Sequence, residues 1–352
     1  MKNILPNEPI LNQCCRSPGS SKIWRSAPAL LRLLPNLPPI SLAVLPPALQ
    51  SVGMNRRHFF QSAAAVAAGS MISRSAQAAE PVGNTFCFFS KHLQGLSFDD
   101  IASIAAEVGV NGIEAPIRPK GHIEPEAVED ELPKLIESLK KQGLELTIMT
   151  SGITEVNAEQ RTEAVLRTAA KLGVKRFRMS YFKYDLTQPI WPQLEALKPK
   201  IKDLVQLCTE VGIQPLFQNH SGKDYVAAPV WDMYSIMREY PAEQFAFAYD
   251  IFHSTVEGGS SWPLEAALVS DHVGAVYFKD FKWNGRKAEG CPLGEGQVNP
   301  EFAKSLMKRG YKGPISLHVE YLKGDTKDPA FVKECRDAHV RDFAVLKQWL
   351  SA

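Results

Sequence analysis

Four glycines in the first half of the chain mark one repeated junction, and this repeat constrains the fold more than any other feature. Each follows an amphipathic helical pattern and precedes a short apolar run; they are Gly109, Gly143, Gly173 and Gly212. Glycine is favoured there because the residue after a helix often takes a left-handed conformation. The intervals of about 30 to 40 residues fit one strand plus one helix. The sequence therefore predicts a repeating strand–helix chain.

The same unit continues to the C-terminal end. The predicted strands cover residues 86–90, 112–115, 144–150, 174–180, 213–219, 245–249, 275–278 and 315–319. Strands that read as continuous apolar runs are buried on both faces, as in parallel sheets. Eight such units predict a single-domain (β/α)8 TIM barrel. A doubly wound open sheet is the alternative, but no Gly-x-Gly-x-x-Gly follows the first strand.

The first 79 residues have a different character. Residues 1–53 are rich in proline and lack a periodic pattern, which predicts a disordered or non-native extension. Paired arginines, Arg56 and Arg57, then precede an apolar stretch and an Ala-x-Ala site at 76–78. This layout resembles a twin-arginine-type signal peptide over 54–79 and predicts a periplasmic or otherwise exported protein. A loosely ordered Ala-rich helix is the alternative. The barrel is expected over 80–352.

Charge and composition disfavour two classes of partner. The chain has 40 Lys and Arg against 38 Asp and Glu, so no basic footprint for nucleic acid is visible. The apolar part of the leader is too short for a membrane span, and no stable membrane insertion is expected. A homo-oligomer stays open. The cysteines show no paired metal spacing and are interpreted as buried thiols; they are Cys14, Cys15, Cys87, Cys208, Cys291 and Cys335.

Polar residues follow the apolar runs of several predicted strands. The run 245–249 leads to Asp250 and, three residues later, to His253. Because the C-terminal ends of barrel strands form the active face, these residues are expected to share one site. Side-chain alternation puts further polar residues on the same faces. They are Glu114, Arg118 and His122 after strand two, Gln218 and His220 after strand five, Tyr277 and Lys279 after strand seven, and His318 and Glu320 after strand eight.

Each of these residues also has a structural interpretation. Lys279 and Asp280 could form a solvated surface pair, and Arg118 could simply anchor its loop. Ionisable groups at the ends of buried strands are costly unless they are paired or ligated. A role in the site is therefore favoured for Asp250, His318 and Glu320.

These residues carry a resemblance to the xylose isomerase-like TIM barrel superfamily, the sugar phosphate isomerase/epimerase group, over about residues 85–350. The resemblance implies a sugar isomerase or epimerase with one divalent metal, held by a Glu, an Asp, a His and a Glu on strands five to eight. It also implies two carboxylates that move a proton between adjacent sugar carbons. The motifs that carry it are Asp250-x-x-His253, Asn219-His220, Lys279-Asp280 and Gly310-Tyr-Lys-Gly313.

The chain departs from the family pattern at three positions. Asp250 is kept, but Gln218 stands at the strand-five Glu position and Tyr277 at the strand-seven His position. His318 stands at the strand-eight Glu position, although Glu320 lies two residues later on the same face. An amide cannot accept the proton that a carboxylate accepts, so the two-carboxylate shuttle cannot be carried over unchanged.

Roles are assigned with these departures in mind. The expected cofactor is a divalent Mn, Zn, Co or Fe ion. Alternatively the metal is lost, and Lys279, Arg118 and the histidines stabilise the oxyanion. The predicted metal ligands are Asp250, His318 and Gln218. The predicted catalytic residues are Glu320, His253, Lys279 and His122, and the predicted substrate-binding residues are Arg118, Glu114, His220 and Tyr277.

The expected reaction is proton abstraction next to a carbonyl of a sugar or oxidised sugar, and the expected partner is therefore a small carbohydrate. A lyase or hydratase acting on a keto-sugar is a variant, because elimination needs one base and an oxyanion stabiliser rather than two bases. A catalytically silent carbohydrate-binding barrel is a second class of function. DNA repair of the endonuclease IV type is disfavoured, because it would need several metal sites and a basic groove.

Overall fold

Eight parallel strands close into a barrel in the computed structural model, which describes residues 83–351. The strands in chain order are β1 Phe86–Phe89, β2 Gly112–Ile117, β3 Glu145–Ser151, β4 Arg176–Arg178, β5 Gln214–Gln218, β6 Ala246–Asp250, β7 Val273–Phe278, β8 Asp280–Asn284, β9 Lys287–Cys291 and β10 Ile315–Leu317. Strands β1 to β7 pair in sequence, and β10 closes the ring between β7 and β1. The predicted (β/α)8 barrel is confirmed.

Helices surround the barrel and alternate with its strands. They are α1 Phe98–Val108, α2 Val128–Lys141, α3 Thr162–Lys171, α4 Ile190–Val211, α5 Trp231–Met237, α6 Ile251–Gly258, α7 Trp262–Leu268, α8 Glu301–Lys308 and α9 Pro329–Ser351. The repeated glycine junctions behave as predicted. Gly109 and Gly212 end α1 and α4 with φ of 81° and 76°, a conformation that glycine adopts without the penalty a Cβ would bring.

Two elements were not predicted from the sequence. Helix α6 begins directly at the end of β6, although its first residues are β-branched or aromatic and have low intrinsic helix propensity. Strands β8 and β9 form an antiparallel hairpin that leads into the Gly-rich loop. The Asn284-Gly285 pair at its turn is a strong hairpin signal, but the flanking residues are mostly exposed and lack an apolar pattern.

The core lies in two layers, as side-chain alternation requires. Large apolar side chains such as Phe177, Phe217 and Phe247 pack in the main core with the helices. A smaller cluster takes residues of alternate register, including Ala246, Ala248 and Tyr277. Gln218, Asp250 and Lys279 continue this inner register at the strand ends. The alternation therefore points these polar residues toward the barrel axis.

The predicted leader, residues 1–53 and 54–79, lies outside the described residues. Cys87, Cys208, Cys291 and Cys335 are free and buried, as predicted, whereas Cys14 and Cys15 lie outside the described part. Among residues 83–351, none of the helices combines the length and apolarity that crossing a membrane would need.

Candidate active site

A pocket opens at the C-terminal ends of the barrel strands. It has an empty volume of about 450 Å³, including its solvent-facing mouth. Its lining combines cations, a carboxylate and aromatic rings, a mixture suited to a polar ligand. The lining residues are Phe89, Lys91, Arg118, Arg178, Tyr181, Gln218, His220, Lys279, His318 and Glu320.

Lys279 lies where three acceptors converge. Its Nζ is 3.1 Å from Asp250 Oδ2, 3.0 Å from Glu320 Oε2 and 2.9 Å from His253 Nε2. Burial alone would lower the pKa of Lys279, but Asp250 and Glu320 outweigh it and raise the pKa above its ordinary value. The side chain is therefore a buried, permanently charged ammonium. The alternative of a solvated surface pair is wrong, because Lys279 and Asp280 are only 7% and 2% exposed.

Asp280 points away from Lys279 and holds the Gly-rich loop. Its Oδ2 accepts from the backbone N–H groups of Gly294 and Gly296 at 3.0 and 2.9 Å. Its Oδ1 accepts from Phe281 N and Val298 N at 2.8 and 2.9 Å. The two residues of the Lys279-Asp280 motif thus have separate roles, one in the pocket and one in loop structure.

The Asp250-x-x-His253 motif is a helix start. Asp250 caps α6, and its Oδ1 accepts from the backbone N–H groups of Phe252 and His253 at 3.0 and 3.3 Å. A spacing of three residues is close to one helical turn, so the imidazole folds back beside the cap. His253 Nδ1 lies 2.8 Å from Ser221 Oγ.

The protonation state of His253 follows from its neighbours. Lys279 can only donate, so His253 Nε2 accepts and the proton lies on Nδ1. Burial, and then the charge of Lys279, hold the pKa of His253 well below its usual range. The ring is neutral and lies 3.9 Å, centroid to centroid, from the ring of His220.

Glu114 is fully buried and is not among the residues that line the pocket. Thr150 Oγ1 and Tyr277 OH donate to its Oε1 at 2.5 and 3.1 Å. Its Oε2 lies 2.8 Å from Ser316 Oγ and 2.9 Å from His318 Nε2. Tyr277 is also fully buried. The predicted substrate contacts of Glu114 and Tyr277 are therefore not supported by their positions, and both residues instead support His318 from below.

The negative charge of Glu114 is stabilised by the side chains around it. Burial raises its pKa, but His318 and Arg178 more than compensate and bring the pKa to about 2. Arg178 Nε lies 3.6 Å from Glu114 Oε1. The carboxylate is thus ionised in a fully buried position, which requires the surrounding donors to stay in place.

Arg178 was not predicted as a site residue, although it lines the pocket at the end of β4. It donates to Gln218 Oε1 and, at 2.5 Å, to Tyr181 OH. Because arginine has no acceptor, the oxygen of the Gln218 amide must face it. The Gln218 nitrogen then donates to Asp250 Oδ2 at 2.7 Å. The available sequence signal was a charged residue at the end of an apolar run. The rule that was applied to the later strands, that polar residues at strand ends belong to the site, identifies Arg178 when it is applied to β4.

The remaining predicted residues divide between pocket and scaffold. His220 lines the pocket, and its Nδ1 donates to Ser221 O at 2.9 Å. Burial, then Lys279, lower the pKa of His220 to about 4. Arg118 is half-buried at the pocket rim. His122 does not line the pocket: its Nε2 lies 2.8 Å from Ser90 Oγ, an arrangement that ties the loop after β2 to the end of β1. The predicted catalytic role of His122 has no contact that supports it.

The predicted metal ligands have other partners. The Gln218 nitrogen faces Asp250, and His318 Nε2 contacts Glu114. No group of three or more His, Cys, Asp or Glu among residues 83–351 is arranged to hold an ion. The Lys279 ammonium lies between the carboxylates of Asp250 and Glu320. The residues present therefore do not fit a divalent ion, and the predicted ligand set stays a prediction that these contacts do not support.

A parallel barrel with polar residues at the C-terminal ends of its strands is the architecture of TIM-barrel enzymes. The chain belongs to the xylose isomerase-like TIM barrel family, whose model matches residues 102–337. This finding confirms the resemblance drawn from the motifs. No curated protein sequence gives a significant match.

Solved structures with the same fold include enzymes that act on sugars. D-psicose 3-epimerase from Clostridium cellulolyticum H10 is 13% identical, with a TM-score of 0.58 over 76% of this chain and 99% of that chain. The probable 3-DHS dehydratase AsbF from Bacillus anthracis is 16% identical, with a TM-score of 0.56 over 75% of this chain and 99% of that chain. The IOLI protein with a bound zinc atom is 16% identical, with a TM-score of 0.59 over 76% and 98%. At such identities the likeness concerns the fold alone.

Proposed function

We propose that this protein is an enzyme of the sugar isomerase or epimerase type, which removes a proton next to a carbonyl of a sugar or oxidised sugar. The observation that carries the proposal is the contact between Glu320 and Lys279 in the pocket wall. A carboxylate that can take a proton lies 3.0 Å from an ammonium that can stabilise the resulting negative charge.

Glu320 is the proposed base. Its side chain keeps 29% exposure and lines the pocket, so a substrate carbon can approach it. Burial raises its pKa, but Lys279 and then His318 overcome this effect and hold the pKa well below its usual range. The carboxylate is therefore ionised near neutral pH. A substrate oxygen that binds Lys279 would draw the ammonium from Glu320 and leave the carboxylate a stronger base.

Lys279 is the proposed oxyanion stabiliser. Removal of a proton next to a carbonyl develops negative charge on the carbonyl oxygen, and a preorganised cation in a water-poor site stabilises that charge strongly. Asp250 holds the ammonium in position by an ion pair, and His253 holds it by a hydrogen bond. The remaining contact, the hydrogen bond to Glu320, is the one that a substrate oxygen would replace.

Arg118 is the proposed contact for a distant polar group of the substrate. It is half-buried at the rim, where burial and then the charge of Arg178 lower the pKa of its guanidinium. A guanidinium binds a carboxylate in a bidentate manner. This arrangement suits a sugar acid or a sugar rich in hydroxyl groups.

A lyase acting on a keto-sugar is the second candidate. Among the lining residues Glu320 is the sole carboxylate, and the position of a second base holds the amide of Gln218. One base with a neighbouring cation is sufficient for elimination. Epimerisation would need proton delivery from the opposite wall, where Tyr181 and His220 lie.

The test is solvent exchange. Keto-sugars and their acids are incubated with the protein in deuterated water, and recovered material is examined by NMR and mass spectrometry. We expect deuterium at a carbon next to the carbonyl, and we expect Glu320→Gln to slow the exchange by about 10²–10⁴-fold. Glu301→Gln is the matched control, because Glu301 is an exposed residue of α8 that pairs with Lys304. This control should exchange at the wild-type rate.

The product separates the two reactions, and a null result decides against both. Elimination gives an unsaturated product with ultraviolet absorbance, whereas isomerisation or epimerisation leaves the mass unchanged apart from deuterium. Absence of exchange at every carbon, together with saccharide binding that Glu320→Gln does not alter, would instead show a silent carbohydrate-binding barrel.

A further inference from the structure

Three acceptors surround the Lys279 ammonium, which donates hydrogen bonds to Glu320 and His253 and forms an ion pair with Asp250. A lysine ammonium has three N–H groups and no acceptor. Asp250, Glu320 and His253 each offer an acceptor within 3.1 Å of Nζ. Two of these acceptors are carboxylates, the group that a divalent cation would also require. The ammonium therefore takes both the position and the ligands that a metal would need.

Residues next to Lys279 are arranged for this internal cation. Gln218 donates its N–H to Asp250 Oδ2, the same oxygen that contacts Lys279. Arg178 fixes that orientation by donating to the other end of the amide. A metal ligand would have to present oxygen at this place, so the amide would have to rotate and direct N–H groups at Arg178. Such a rotation would place the N–H groups of Gln218 against the N–H groups of Arg178, two donors without an acceptor between them in a buried site.

Charge balance leads to the same conclusion. A carboxylate at position 218 would add negative charge beside Asp250 and Glu320 and would favour a doubly charged ion. The neutral amide leaves two carboxylates near one ammonium, and Lys91 lies 3.3 Å from the second oxygen of Glu320. The neutral amide at position 218 and the single positive charge of Lys279 are thus complementary.

We propose that the Lys279 ammonium replaces the divalent cation in this barrel, so that the protein binds no metal in the pocket and positions substrate oxygen by its own side chain. The proposal concerns ligand binding and can be tested without turnover. Its outcome is therefore independent of the proposed reaction.

The first experiment measures metal uptake by the wild type. Purified protein is treated with a chelator, dialysed against Mn²⁺ or Zn²⁺, and analysed for bound metal and for a shift in thermal unfolding. We expect far less than one ion per chain and no shift. One tightly bound ion per chain that is lost in Glu320→Gln would overturn the proposal.

The second experiment removes the internal cation. In Lys279→Ala, and more strongly in Gln218→Glu/Lys279→Ala, the carboxylates lose their ammonium partner, and we expect Mn²⁺ or Zn²⁺ to bind at least about tenfold more tightly than in the wild type. Lys91→Ala is the matched control, since it removes a cation from Glu320 without vacating the position of Lys279. It should not gain metal affinity.

One result with these variants would contradict the proposal. If folded Lys279→Ala and the double variant bind metal no better than the wild type, the ammonium is not what excludes the ion, and the proposal fails. Circular dichroism reports folding of each variant. Lys279→Met, which keeps most of the side-chain volume, replaces Lys279→Ala if the smaller side chain prevents folding.

Discussion

At the level of single residues, the site is a set of buried charges that neutralise one another. Glu114, Asp250, Arg178 and Lys279 are each at most 7% exposed. Buried ions are tolerated only when paired and hydrogen-bonded. Each of these residues therefore fixes the position of the next, from Glu114 through Arg178 and Gln218 to Asp250 and Lys279. This chain of contacts holds the carboxylate of Glu320 and the ammonium of Lys279 in a fixed position relative to each other.

Glu114→Gln tests this network. The substitution keeps the shape of the side chain but leaves Arg178 without a buried counter-charge and turns a donor toward His318 or Tyr277. Removing one partner of a buried ion pair typically costs about 3–5 kcal/mol. We expect a loss of at least about 3 kcal/mol in the free energy of unfolding, measured by urea denaturation at neutral pH. Glu107→Gln, which changes an exposed residue of α1, should lose less than about 1 kcal/mol.

The same variant should change the pH dependence of stability. The pKa of Glu114 is about 2 in the folded protein against an ordinary value of 4.5. The unfolded chain therefore binds the proton more readily, and the contribution of Glu114 is full above pH 4.5 and is lost as the pH falls toward 2. Below pH 4.5 the wild-type stability should fall more steeply than that of Glu114→Gln. Parallel curves would contradict this role.

At the level of elements, the junctions after β6 and β7 depend on carboxylate caps. Asp250 caps the N-terminus of α6 and also contacts Lys279. The same carboxylate therefore both stabilises the start of the helix and forms part of the site. Asp280 has a similar role for the loop that follows β9, because its two oxygens accept three backbone N–H groups of that loop, in addition to the N–H of Phe281. The loop is linked to the pocket because Asp280, which binds the loop, directly follows Lys279, which lines the pocket.

Asp280→Asn should loosen this loop. One side-chain oxygen becomes an NH₂ group, which cannot accept, so at least one buried backbone N–H is left without its partner, at a cost of about 1–3 kcal/mol. We expect faster amide hydrogen exchange at Gly294, Gly296 and Val298, measured by mass spectrometry. Asp325→Asn changes an exposed loop residue that also accepts a backbone N–H and should leave exchange at 294–298 unaltered. Unchanged protection in Asp280→Asn would contradict the capping role.

At the level of the whole molecule, the leader and the barrel have separate predicted roles. We propose export through the paired arginines, which fall outside the described residues. The full-length chain expressed in a bacterial host should appear in the periplasm, whereas Arg56→Lys/Arg57→Lys should remain in the cytoplasm, as shown by cell fractionation. Arg74→Lys changes a single arginine behind the apolar stretch and should still be exported. Export of the double variant would refute the twin-arginine assignment.

The sequence by itself was sufficient for the barrel and for the end of the barrel that carries the pocket. Both follow from local rules: the glycine at each helix end, the continuous apolar strands, and the polar residues at the strand ends. Alternation within each strand also selected Lys279, His220 and Glu320, which line the pocket. Arg178 could have been found by the same rule, whereas α6 has too low a helix propensity to be found without its cap.

Only the tertiary structure decided which polar residues contact one another. The sequence favoured a metal between Asp250, His318 and Gln218, because strand position alone does not show how deep a side chain lies or which neighbour takes its hydrogen bonds. Closure of the barrel places β2 and β10 on either side of β1, so that His318 contacts Glu114. It also places β7 between β6 and β10, so that the ammonium of Lys279 lies between Asp250 and Glu320. These contacts join residues far apart in the chain, and their energies depend on burial, which appears only when the barrel is closed.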